Sequence, residues 1–249
     1  MKRIQLLAVL SAMFVLVPCS VAQEKKPAAM MDSMAVKKKM MEPGMMMAAE
    51  KAMMSEASMV PSMMAKEMMM HDMMTDMSNM SLVEKATPAE GISMMTDDAK
   101  MKMASEKMMS EKGELENLFQ ELVARHLVAQ KMKMMAQSSP DKKSMMKPMM
   151  LDEKSMADGK MEMMKGDAMA TMLTREMMIH ALMNDPGIMA MVEKSAKMMQ
   201  ESSVSKLIND EAMMMKAEKM SKDPGMMKTM AKDAMTRQMA MPMMKDMKN

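Results

Sequence analysis

The stretch ELENLFQELVARHLVAQKMKMMAQ, residues 114–137, has the most regular pattern in this chain and decides its fold class. Leu115, Leu118 and Phe119 recur at helical spacing, with charged and amide side chains between them. Phe119 is one of only two Phe in a sequence that has no Trp and no Tyr. The pattern predicts an amphipathic helix over residues 111–137 that forms an ordered element of the core.

The rest of the chain also favours helices, because it is rich in Met, Ala, Lys and Glu, which are good helix formers. No segment shows the alternating β-branched pattern of a strand, so we predict an all-α fold. Met accounts for 61 of the 249 residues, whereas Leu, Ile, Val and Phe together total only 21 after position 22. Because methionine is flexible and specifies packing poorly, we expect loosely packed Met-rich helices with disordered, low-complexity segments.

Residues 23–110 form the predicted Met-rich, low-complexity and partly helical region. Twenty Met fall among the 51 residues from Met30 to Met80, which is too many to mark one helical face. A helix here would be apolar around most of its circumference, so it needs a partner, a ligand or self-association. Proline and glycine recur in residues 138–167, which we interpret as a linker with broken helical pieces.

Residues 168–249 are predicted to form helical hairpin repeats. The sequence NDPGIM at 184–189 recurs as KDPGMM at 222–227, and EPGMM at 42–46 is a looser third copy. An Asp before a Pro suits a helix N-cap followed by a first-turn proline. Each copy is therefore predicted to begin a helix after a tight turn, and the two close copies indicate a duplicated hairpin.

Residues 1–22 resemble a secretory signal peptide. Lys2 and Arg3 precede an apolar run that is too short to span a bilayer, and Ala22 ends a small-residue cleavage site. We therefore expect export to the periplasm or the medium, with an uncleaved anchor as the alternative. The sequence LVPC ending at Cys19 is also similar to a lipobox, and the protein would contact a membrane only if Cys19 were lipidated. Cleavage after Ala22 removes the one Cys, which excludes thiolate chemistry and disulfides.

The charge balance argues against a nucleic-acid partner. Removal of Lys2 and Arg3 leaves 33 basic and 33 acidic residues, so the formal charge becomes zero. No basic excess remains to neutralise phosphates. The sequence also lacks a nucleophile elbow, a P-loop, a Gly-rich dinucleotide turn and a zinc-protease motif, so we expect no enzymatic activity.

Histidine and methionine meet at a spacing that suits metal coordination. His71 has Met68 three residues before it and Met74 three residues after it. Residues three apart lie on one face of a helix, so two thioethers and one neutral imidazole are predicted to form a three-coordinate site. Further sulfur donors on neighbouring turns are Met70, Met73 and Met77.

The same arrangement recurs at a second histidine. His180 has Met177 three residues before it and Met183 three residues after it. His126 has Val123 and Ala129 at those positions, so we interpret it as a structural histidine. Methionine is so frequent in this chain that packing beside the histidines by chance is the alternative explanation for both motifs.

Thioethers are soft ligands that favour Cu(I), and Ag(I) by the same argument, and they bind without losing a proton. With its Met-x-x-His and His-x-x-Met spacings, and no Cys after position 22, the chain resembles bacterial periplasmic proteins that sequester copper and silver. The resemblance implies an exported protein that binds and buffers Cu(I) or Ag(I). His71 and His180, each with its two flanking Met, are the implied metal ligands.

Three other functions remain open. Methionine is oxidised to a sulfoxide that enzymes reduce again, so the chain is also interpreted as a sacrificial oxidant sink. Flexible Met-lined surfaces accommodate varied apolar segments, which suits a client-binding protein. The last alternative is a low-complexity expansion of the single Met codon with no specific activity.

Overall fold

The computed structural model describes residues 33–55, 59–87, 97–138, 151–202 and 209–246. Within these ranges the chain forms eleven α-helices and no strand, which confirms the all-α prediction. The helices are α1 (Ser33–Met40), α2 (Pro43–Ser55), α3 (Met59–Thr75), α4 (Met77–Ala86), α5 (Asp98–Ser110), α6 (Lys112–Ser138), α7 (Glu153–Met163), α8 (Ala168–Met183), α9 (Pro186–Glu201), α10 (Asp210–Ser221) and α11 (Pro224–Asp246). The predicted signal segment, with Cys19, lies outside the described residues.

None of the helices in the described part of the chain combines the length and the apolarity needed to cross a bilayer. The longest is α6, which spans 27 residues and includes the amphipathic stretch predicted from the sequence. Its Leu118, Phe119 and Leu122 are almost fully buried, at 0%, 0% and 1% exposure. The apolar face of α6 is therefore a core element.

Proline and aspartate begin helices where the repeated sequence predicts them. α9 begins at Pro186, and the carboxylate of Asp185 accepts a hydrogen bond from the Ile188 backbone N–H at 3.0 Å. α11 begins at Pro224, and Asp223 accepts from the Gly225 N–H at 2.9 Å. These caps satisfy N–H groups that have no partner in the first turn. Two residues join α8 to α9 and α10 to α11, yet α9 packs mainly on α6 while α11 packs mainly on α7 and α8.

The helices enclose two hydrophobic clusters. The first cluster gathers apolar side chains of α2, α6, α8 and α9 around Phe119. The second lies among α3, α7, α8 and α11, and ten of its eighteen buried residues are Met. Methionine therefore supplies much of the core, as the composition predicts.

Helix α3 separates the two clusters and contributes to both. Met64 and Met68 on one side belong to the first cluster, while Met69 and Met73 belong to the second. α3 contacts α6 and α10 as well as α4 and α11. A helix that is apolar around its circumference is stable when it is buried on all sides. Most of the apolar surface of the Met-dense helix α3 is thus buried against other helices of the same chain.

The segment interpreted as a linker, residues 138–167, contains the packed helix α7. Its Met156 and Met163 are buried in the second cluster. Gly159 faces α11 so closely that an added Cβ would lie 3.3 Å from the Ala231 Cβ. This glycine allows close helix approach, whereas the sequence pattern alone suggested a helix breaker.

Candidate functional site

Helix α3 presents the first predicted motif, Met68, His71 and Met74, on three successive turns. Met68 is 3% exposed and packs in the first cluster. Met74 is half-buried and packs against the second cluster. The His71 side chain lies between them and is 47% exposed, with Nδ1 3.8 Å from Oδ1 of Asp72. The motif is therefore helical, but its imidazole is the only member that reaches well into solvent.

An open groove of about 440 Å³ begins beside this imidazole. His71 and Met74 of α3 line it together with Met132 of α6 and Met241 of α11. Met132 is half-buried and Met241 is 44% exposed. One imidazole and three thioethers from three helices thus border the same space.

The sequence pattern did not point to Met132 or Met241 as ligands, because neither has a histidine three residues away. Met132 lies near the C-terminal end of α6, and Met241 lies near the end of α11. Only the packing of α6 and α11 against α3 brings them to His71. In a chain with 61 Met, no local signal distinguishes these two.

The three further donors proposed from the sequence do not join the groove in one group. Met70 is 0% exposed and Met73 is 1% exposed, and both pack in the second cluster. Met77 is 88% exposed and is the first residue of α4, directly after the N-cap Asp76. Two of these thioethers are thus part of the core, and the third extends into solvent.

The second predicted motif lies on α8, and its two methionines differ in burial. Met177 is 2% exposed, whereas Met183 is 37% exposed. His180 is half-buried, and its Nδ1 lies 3.1 Å from the side-chain amide nitrogen of Asn184. The two thioethers flank the imidazole in sequence, but one faces the interior and the other faces solvent.

Members of a buried ion-pair network also line the groove: Glu67, Arg125, Glu176 and Arg237. Arg125 binds both oxygens of Glu176, with Nη1–Oε1 and Nη2–Oε2 distances of 2.8 and 2.7 Å. The same Nη2 donates to Glu121 at 2.7 Å. Arg237 donates to both oxygens of Glu67 at 2.8 Å. These bonds connect α6 to α8 and α3 to α11 at the groove that His71 also lines.

The rarity of Arg in the sequence could have revealed this network. The chain has 35 basic residues, of which only four are Arg. Arg3 lies outside the described residues, and the other three all bind network carboxylates, Arg175 through Glu121 at 2.7 Å. A planar guanidinium binds carboxylates in pairs of hydrogen bonds, which a lysine cannot do. Arg in a chain that otherwise uses Lys is thus a signal of buried ion pairing.

The network changes the protonation behaviour of its carboxylates. Burial alone would raise the pKa of Glu121, but the charges of Arg125 and Arg175 outweigh it and lower the pKa to about 2. Burial acts in the same direction on Glu176, whose pKa is nevertheless lowered by hydrogen bonds and charge from Arg125. These two carboxylates remain ionised at neutral pH, so they offset the positive charges of Arg125 and Arg175.

His126, interpreted as structural, lies on α6 with its Nε2 atom 2.8 Å from the Gln130 side-chain nitrogen. In the part of the chain that the structure describes, no group of three or more His, Cys, Asp or Glu side chains is arranged to hold a metal ion. Comparisons of the chain with protein-family models, with curated proteins and with solved structures found no match.

Proposed function

We propose that this protein is exported and binds and buffers a soft monovalent metal ion, Cu(I) or Ag(I), in the groove beside His71. The observation that carries the proposal is the shared lining of that groove by His71, Met74, Met132 and Met241. Thioether sulfur and neutral imidazole nitrogen are ligands that suit Cu(I). Methionine has three rotatable bonds, so these side chains are able to converge on an ion from their separate helices.

The electrostatics of the groove are compatible with a cation. Arg125 and Arg237 are both bound by carboxylates, so their charges are compensated. Asp72 adds a negative charge close to the imidazole. Because thioethers are uncharged, the ion keeps its own charge when it binds, and neighbouring carboxylates offset it.

Competition with a Cu(I)-specific chelator under reducing, anaerobic conditions tests the proposal. The key variant combines Met74→Leu, Met132→Leu and Met241→Leu, which removes three sulfurs and retains apolar side chains of similar volume. Loss of outer-shell groups alone weakens metal binding by about 10- to 100-fold, so loss of three ligands is expected to exceed about tenfold. A triple variant that competes as well as the parent would overturn the proposal.

The matched control replaces three exposed methionines outside this groove lining, Met103, Met161 and Met215, with leucine. They are 58%, 60% and 67% exposed, so the change removes as much sulfur without altering the core. The control is expected to retain the groove affinity. His71→Ala is expected to weaken binding more than His180→Ala, because His71 shares its groove with three thioethers, whereas His180 is flanked by one buried and one exposed Met.

A second candidate function, the oxidant sink, is favoured by a separate observation. Among the described residues, all fourteen exposed large hydrophobic side chains are Met, while Leu, Ile, Val and Phe are withdrawn from the surface. Exposed thioethers are available to oxidants, and their oxidation leaves the core intact. This function predicts rapid hypochlorite consumption that is unchanged by His71→Ala together with His180→Ala.

A further inference from the structure

The thioethers near His71 differ sharply in their accessibility. Met241 is 44% exposed, and Met74 and Met132 are half-buried along the groove. Met70 and Met73, on the same helix as His71, are 0% and 1% exposed. An oxidant in solution therefore reaches the proposed ligand sulfurs and does not reach the core sulfurs beside them.

We propose that Met74, Met132 and Met241 are reversible oxidation sites, and that oxidation and metal binding exclude each other at these sulfurs. This inference rests on the proposed function, because it names the modification that controls the same groove. Metal binding and oxidation are thus competing reactions of one set of sulfur atoms.

The competition follows from the electron pair that both reactions use. A thioether binds Cu(I) or Ag(I) through a lone pair on sulfur. With a peroxide as oxidant, the same lone pair attacks one oxygen, the S–O bond forms and the O–O bond breaks. The sulfur loses two electrons, and the departing oxygen takes up a proton and leaves as water when the peroxide is H₂O₂. The product sulfoxide is polar and has lost the soft thioether donor.

The positions of the three residues allow the fold to survive this change. Each lies along an open groove, so a sulfoxide oxygen at any of them can be hydrated. Oxidation of a buried residue such as Met70 would instead place a polar group in the second cluster. The order of exposure also predicts that Met241 is oxidised before Met74 and Met132.

The chemistry requires a companion reaction. Recovery of the metal site needs reduction of sulfoxide to thioether, and each of the two sulfoxide epimers requires its own reductase. A methionine sulfoxide reductase acting on exposed groove residues is the class of enzyme that must consume this product. Loss of metal on oxidation and its recovery on reduction would then form a cycle.

The test measures oxidation residue by residue, with and without metal. Ag(I) is the probe, because it does not cycle between oxidation states with peroxide as copper does. The full chain is exposed to limiting H₂O₂, and peptide mass spectrometry follows the sulfoxide at each Met. With Ag(I) at ten times its dissociation constant, mass action predicts about tenfold slower oxidation at Met74, Met132 and Met241. Met161 and Met215, both exposed and outside this groove lining, serve as internal controls and are expected to oxidise at unchanged rates.

The reverse measurement uses chain oxidised beforehand. Its Ag(I) affinity is expected to fall by more than about tenfold, as for loss of ligands, and to recover after treatment with both sulfoxide reductases. His71→Ala is expected to reduce the protection that Ag(I) gives to the three groove residues, measured as the ratio of oxidation rates with and without Ag(I) in the same variant. Equal rates at the three groove residues with and without bound Ag(I) would overturn this inference alone. Failure of the unoxidised chain to bind Ag(I) would overturn the proposed function and this inference together.

Discussion

Arg237 Nη2 lies 2.8 Å from both carboxylate oxygens of Glu67, although 170 positions separate the two residues in the sequence. Glu67 is only 6% exposed, and its other neighbour is Nε of Arg125 at 3.7 Å. One carboxylate on α3 thus connects two arginines from α6 and α11. Because Glu67 and Arg237 both line the groove beside His71, their pairing also links the helices that border it.

Removal of one member of this pair is expected to cost more than removal of both. Glu67→Met leaves Arg237 buried without its main partner, and loss of one partner of a buried pair typically costs about 3–5 kcal/mol of unfolding free energy. The double variant Glu67→Met with Arg237→Met leaves no such unpaired charge at Arg237, so it is expected to recover most of that loss. Guanidinium denaturation of the two single variants and the double variant measures the coupling.

The control is an exposed pair on one helix, Lys102 and Glu106, whose side chains are 71% and 59% exposed and 3.9 Å apart. Glu106→Met is expected to change the unfolding free energy by less than about 1 kcal/mol. If the double variant in the network were as unstable as the sum of its single variants, the two residues would act independently and the assignment of their coupling would be wrong.

Acid is expected to destabilise the protein through Glu121. Its pKa is about 2 in the folded chain against an ordinary value of 4.5. The associated stability is therefore complete above about pH 4.5 and is lost as the pH falls to about 2. The shift corresponds to roughly 3 kcal/mol of unfolding free energy. Denaturant unfolding at a series of pH values measures this slope.

Glu121→Gln is expected to flatten that slope and to lower stability at neutral pH, since an amide pairs less strongly with Arg125 and Arg175. Glu116→Gln on the same helix is the matched control, because Glu116 contacts only the exposed Lys112 at 3.7 Å among the ion pairs in the described residues. A slope as steep in Glu121→Gln as in Glu116→Gln would assign the acid sensitivity to other groups.

Two glycines in helices are expected to respond oppositely to alanine. At Gly159 an added Cβ would lie 3.3 Å from both the Ala231 Cβ and the Lys228 carbonyl oxygen, and neither atom moves without shifting the backbone of α11. At Gly113, near the start of α6, an added Cβ has no neighbour within 4 Å. Gly113→Ala is therefore expected to stabilise the protein by up to about 1 kcal/mol, through helix propensity alone.

Gly159→Ala is expected to lose that propensity gain and to destabilise the protein by about 1–3 kcal/mol, the usual cost of an overpacked contact. Thermal unfolding monitored by circular dichroism compares the two variants directly. If Gly159→Ala raised the melting temperature as much as Gly113→Ala, α7 and α11 would separate easily. The close packing of Gly159 against α11 would then be wrong.

Some features of this fold depend on neighbouring residues in the sequence, and others depend on contacts between distant segments. The helix starts at Pro186 and Pro224 follow from an aspartate cap within three residues, so a local pattern was sufficient to predict them. The shared helical face of Met68, His71 and Met74 likewise follows from their three-residue spacing alone. The packed helix α7 was not predicted, because Gly159 carries the same sequence signal whether it breaks a helix or allows close contact.

The sequence by itself determined an all-α chain with a core rich in methionine, because helix propensity and capping act within a few residues. The sequence also shows that only four of the 35 basic residues are Arg, which marks these residues as candidates for buried ion pairs. Only the tertiary structure decided which thioethers border His71 and which carboxylates bind the arginines. Met132 and Met241 resemble many other methionines in sequence, and only the packing of α6 and α11 against α3 distinguishes them.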